Sequence, residues 1–117
     1  MQVLAFGSLN DRQAWNVVDK IKREFPDYEF HKSSDVDDIL KFKRDMIIID
    51  VVKGIRKPRL LKVDDLRDRK IDTIHDFDLG FFLKLLKSID KINRIKIIGI
   101  PMEIDDEVIY GVKKLLS

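Results

Sequence analysis

Three short runs, Val3–Phe6, Met46–Val52 and Ile95–Ile100, are apolar at nearly every position, and they constrain the fold more than any other feature. A strand with one wet face alternates apolar and polar residues, whereas a run apolar on both faces belongs inside a sheet covered on both sides. The runs therefore predict inner strands of a parallel sheet packed between helices. A fourth strand is expected at Tyr28–His31. Before it, Ala14, Trp15, Val17, Val18, Ile21 and Phe25 recur at helical spacing, predicting a helix over Arg12–Phe25 that Pro26 and Asp27 end. Further helices are expected over Val36–Phe42, over Leu79–Ser88 after a capping Asp78, and from Asp105 to Leu116.

One segment breaks the regular alternation. Arg59–Val63 reads as a strand, yet only Val52–Pro58 separates it from the strand before it. A parallel crossover needs about a dozen residues or more. This strand must therefore run antiparallel to its predecessor, and an edge is the natural place for it. The expected architecture is α/β, a mostly parallel sheet with one reversed strand.

At 117 residues and 44% hydrophobic, with no linker-like stretch, the chain is expected to form a single domain over residues 1–117. Lys and Arg number 23 against 21 Asp and Glu, so a net charge of +2 gives no general pull toward nucleic acid or membrane. The basic run Lys53–Arg59 reads as a solvated loop rather than a binding patch. The absence of cysteine excludes disulfides, thiolate metal sites and cysteine nucleophiles. No run approaches the ~20 apolar residues of a membrane span, and a cytoplasmic protein is expected.

In open α/β sheets, ligands gather at the carboxyl ends of the parallel strands. There the chain offers Gly7-Ser8-Leu9-Asn10-Asp11, Asp50 closing Ile47-Ile48-Ile49, and Gly99-Ile100-Pro101-Met102-Glu103. Burying a carboxylate at a strand end is costly unless a metal, a basic group or backbone amides pair with it. By position alone, Asp50 is equally open to an amide-accepting structural role and to a functional one. His75, just before the helix expected at Leu79, reads on its own as structural or exposed. Imidazole and carboxylate together suit nickel, zinc, manganese or iron, but two protein ligands make a weak site and a third is needed. The single glycine of Gly7-Ser8-Leu9-Asn10 matches neither a dinucleotide turn nor a P-loop. No serine sits in a nucleophile-elbow context. A phosphoacceptor receiver domain would place an Asp at this strand end, but it also needs an acidic pair after the first strand, which is absent here.

Taken in order, Leu4-Ala5-Phe6-Gly7-Ser8-Leu9-Asn10, Ile47-Ile48-Ile49-Asp50, His75-Asp76-Phe77-Asp78-Leu79 with Leu83, and Ile97-Ile98-Gly99-Ile100-Pro101 with Glu103 resemble the hydrogenase maturation endopeptidases over nearly the whole chain. The resemblance implies a phosphorylase/hydrolase-like three-layer α/β/α sandwich, with a five-stranded mixed sheet in the order 2-1-3-5-4 and strand 4 antiparallel. It implies a metal-recognising endopeptidase that removes the C-terminal extension of a nickel–iron hydrogenase large subunit after nickel insertion. The partner would be that large-subunit precursor, and the nickel would be substrate-borne, with none tightly held by the protein itself. Of the family's three metal-binding positions, two fall on Asp50 and His75, and Asp11 is the carboxylate near enough to serve as the third. Asp50 and Asp11 would then also be the catalytic acids.

The sequence departs from the family pattern at defined places. Leu9 stands where a second glycine is usual, the residues between Asn10 and the acidic ligand are missing, and Ser33-Ser34 replaces a Gly-Gly turn. A ligand misplaced by about 1 Å can cost orders of magnitude in rate. The shortened loop therefore leaves open an alternative, a non-catalytic relative acting as a metal- or partner-binding module.

Overall fold

The apolar runs form strands as expected. The structure, a computed structural model, describes residues 1–35, 38, 41, 45–52, 54–62 and 95–117. In it β1 spans Gln2–Phe6, β2 Glu29–Ser33, β3 Met46–Val51, β4 Arg59–Lys62 and β5 Ile95–Ile100. Two helices are described, α1 (Gln13–Ile21) and α2 (Asp106–Leu116). The strands make one sheet in the order β2-β1-β3-β5-β4. All pairings are parallel except β4 with β5, which is antiparallel, so the short link does reverse the chain.

The sheet explains why its inner strands do not alternate in polarity. Val3, Ala5, Ile47, Ile49, Ile98 and Ile100 are buried with Ala14, Val17, Val18 and Ile21 of α1 and Val112 and Leu116 of α2 in one apolar cluster. The intervening residues Leu4, Phe6, Met46, Ile48 and Ile97 point to the opposite face and are buried as well. Each such side chain contributes about 1.5–3 kcal/mol relative to an exposed one. The two described helices form one outer layer. The other two expected helices fall on 36–42, where only 38 and 41 are described, and on 79–88, outside the described residues.

Element ends differ from expectation for local reasons. The α-helix stops at Ile21 and a single 3₁₀ turn, Lys22–Glu24, carries the chain on. Proline disfavours helical geometry in the residue before it, and Phe25 accordingly sits at φ −128°, ψ 67°. β2 starts and ends later than its apolar pattern suggests because it pairs along all of β1, from Gln2↔Glu29 to Phe6↔Ser33. The final helix begins as expected: Asp105 is its N-cap, accepting the Val108 N–H at 2.9 Å.

Candidate functional site at the carboxyl rim

The pairing Ala5↔Ile49 sets the ends of β1 and β3 side by side, so the chain after β1 and Asp50 of β3 occupy the same rim of the sheet. After β1, residues Ser8–Asp11 close a tight turn. Ser8 N–H donates to the Asp11 carbonyl at 2.8 Å, and Asp11 N–H donates back at 3.1 Å. This is the shortened loop, and it delivers Asp11 to the rim next to Asp50's strand. Gly7 makes the turn possible through spacing. A β-carbon there would lie 2.5 Å from the Asp11 carbonyl oxygen and 3.1 Å from the Trp15 ring.

Trp15 and Ser33 organise this rim, and sequence reasoning assigned neither of them that role. The Trp15 indole N–H is shared between the carbonyls of Ala5 (3.1 Å) and Ser33 (3.3 Å), while Gly7 N–H donates to the same Ser33 carbonyl at 2.9 Å. The ends of β1 and β2 are thereby tied to the first helical turn. The available signal was the indole itself, since a buried Trp needs a partner for its N–H. Where a Gly-Gly turn was expected, Ser33 is buried instead, with its hydroxyl 2.9 Å from the Asp35 carbonyl and 2.5 Å from Asp38 Oδ2.

Asp50 is half-buried on the face away from α1 and α2, and its Oδ1 accepts the Val51 N–H at 2.9 Å. The amide-accepting role expected of it is thus present. Asp11 is half-buried, and its carboxylate makes no hydrogen bond or ion pair among the described residues. His75 lies outside the described residues. Among the described residues no three of His, Cys, Asp and Glu form a group able to hold a metal ion. Asp11 and Asp50 thus lie at one rim of the sheet, and the third donor of the expected set is not among the residues described. At the opposite, amino edge, a concavity of about 500 Å³ is lined by Met1, Gln2, Glu29 and Asp45, remote from both acids.

A mixed sheet ordered β2-β1-β3-β5-β4 with its reversed strand last, covered by helices, defines the α/β fold expected from the residue motifs. That fold is shared with solved hydrogenase maturation proteases. Over 98% of its length the chain superposes on 86% of a hydrogenase 3 maturation protease, with a TM-score of 0.61 and 18% identity. It also superposes on a protein of uncharacterised role from Wolinella succinogenes, with a TM-score of 0.59, 12% identity, and 94% of this chain against 78% of that one. A hydrogenase 2 maturation peptidase from a Thaumarchaeota archaeon gives a TM-score of 0.50 at 21% identity, covering 99% of this chain and 95% of that one. By sequence, no protein-family model and no curated protein matches the chain. At these identities the likeness is one of fold. Among the described residues no helix is long and apolar enough to cross a membrane.

Proposed function

We propose that the chain is a metal-recognising endopeptidase of the hydrogenase maturation type, with Asp11, Asp50 and His75 as its working residues. One observation supports this reading: β1 pairs with β3, so the Ser8–Asp11 turn that follows β1 and Asp50 near the end of β3 share the carboxyl rim of the sheet. Two carboxylates and an imidazole suit a borderline divalent ion such as nickel, presented by the hydrogenase large-subunit precursor rather than held by the protein. With the substrate's ion gripped there, Asp50 or Asp11 would take a proton from a water attacking the nearby amide and return it to the leaving amine, so that the C-terminal extension departs as a peptide.

The test is direct. Nickel-loaded large-subunit precursor is incubated with the full chain, and loss of the C-terminal extension is followed by mass. Cleavage is expected with the wild type, with at least a hundredfold loss of rate in Asp50→Asn and in His75→Ala. An intact precursor after prolonged incubation with the wild type would sink the reading.

A further inference from the structure

The residues Lys53–Arg59 read from sequence as a solvated basic loop, but the fold gives the described part of that run, residues 54–59, a particular place. Because β3 and β4 flank β5, the chain joining them must arch over the carboxyl end of β5, onto the same rim as Asp50. The arch is anchored at both feet. Val52 N–H donates to the Ile100 carbonyl at 2.8 Å, and the Pro58 ring sits so close to α2 that a β-carbon on Gly111 would lie 3.0 Å from it. Gly54, at φ 82°, supplies the bend between them.

The charge on this arch is concentrated and unbalanced. Residues 52–59 contain Lys53, Arg56, Lys57 and Arg59 and no acid, so from a chain total of +2 this +4 leaves −2 for the rest. Arg56, Lys57 and Arg59 are exposed and form no ion pair among the described residues, whereas Lys22, Lys32, Lys41 and Lys113 are each paired. Asp50 and Arg59 both stand opposite Gly99, one on each side of β5, so their backbones lie roughly 10 Å apart. Two exposed apolar side chains share the rim: Leu9, 78% exposed at the tip of the Ser8–Asp11 turn, and Met102, 51% exposed just after β5.

We infer that the arch carrying Arg56, Lys57 and Arg59 is the docking surface for an acidic segment of the protein substrate, one that also bears apolar side chains. The inference rests on the peptidase reading and deepens it by naming what flanks the cleaved bond. Charge complementarity selects an acidic partner. The size of the patch selects a short peptide over a long polyanion, because nucleic acid or an anionic membrane extending past it would meet a protein that is otherwise net negative. Leu9 and Met102 offer contacts that peptide side chains use and phosphates do not.

The inference is tested by fluorescence anisotropy, without cleavage, using a fluorescein-labelled octapeptide of alternating glutamate and leucine. The full chain is expected to bind it at 50 mM NaCl, to bind at least tenfold more weakly at 300 mM, and to ignore the lysine–leucine counterpart. The Arg56→Ser/Lys57→Ser/Arg59→Ser variant is expected to lose at least tenfold. Should that triple variant fail to fold, Arg56→Ser and Lys57→Ser, both between the anchored feet, are each expected to lose about threefold. Binding by the variants within experimental error of the wild type would overturn the inference. So would absence of glutamate-peptide binding, or tighter binding of oligothymidylate or phosphatidylserine vesicles. Cleavage of the precursor without charge-dependent peptide binding overturns this inference alone, and charge-dependent binding without cleavage overturns the peptidase reading alone.

Discussion

Gly7 shows how one missing side chain fixes a site. Its backbone needs no left-handed conformation; what excludes a β-carbon is the Asp11 carbonyl oxygen, 2.5 Å from where that carbon would sit. The blocking atom is backbone, held by the paired Ser8 and Asp11 hydrogen bonds, so it can retreat only by opening the turn. Gly7→Ala is expected to destabilise the fold by about 2 kcal/mol, within the usual range for overpacking. It should also displace Asp11 and lower precursor cleavage more than it lowers stability. Urea titration against cleavage rate separates the two effects, and a variant as stable and as active as wild type contradicts the geometry. At this scale the place of Asp50 near the end of β3 was legible because a carboxylate late in a buried strand is conspicuous in any sequence. Trp15 was legible only as an apolar residue on a helix, since its indole acts on carbonyls of two strands, Ala5 and Ser33, that are brought together only in the folded chain.

Among the elements, α2 contains an apparent flaw with a packing reason. Gly111 lies mid-helix, where glycine costs about 1 kcal/mol relative to alanine. Pro58 at the foot of the β3–β4 arch occupies the space an alanine would use, with its Cγ 3.0 Å and its Cδ 3.2 Å from the β-carbon position. Gly111→Ala alone is therefore expected to gain none of the helix-propensity benefit. In a Pro58→Ala background the same substitution should stabilise by about 1 kcal/mol. Thermal or urea unfolding of the four proteins yields the coupling, and additive effects would show that the two residues do not constrain each other. The reversal of β4 could be read from the sequence because seven linking residues are too few for a parallel crossover. That β5 inserts between β3 and β4 could not be read from local pattern, because strand order is set by which distant segments pair; here it came from the family resemblance. The placement of the basic arch over β5, and hence beside Asp50, depends on that order.

Across the whole molecule, Tyr28 ties the chain just before β2 to the C-terminal end of α2. The last four carbonyls of a helix lack partners within it, and that of Leu116 is taken by the Tyr28 hydroxyl at 2.6 Å, across 88 residues of sequence. Lys113 meets Glu24 at 2.6 Å on the same seam, so the end of α2 is fastened to the segment between α1 and β2. The Tyr28 ring packs edge-on against Phe25, 5.8 Å between centroids, and tilted against Phe30 at 6.1 Å. Its aromatic contacts can therefore survive loss of the hydroxyl. From sequence Tyr28 was only the start of a strand, because nothing near it announces that residue 116 will come within reach. Tyr28→Phe is expected to cost about 1 kcal/mol of global stability, the net worth of one hydrogen bond. Amides in the last turn of α2, at Leu115 and Leu116, should exchange with solvent about fivefold faster, the factor that 1 kcal/mol corresponds to, because local opening there no longer breaks the tie to Tyr28. Those of Leu4, Ile48 and Ile97, in the three central parallel strands, should accelerate by the same factor where exchange requires global unfolding. Native-state hydrogen exchange checks this: unchanged exchange at Leu115 and Leu116 would mean that the hydroxyl does not fasten the end of α2.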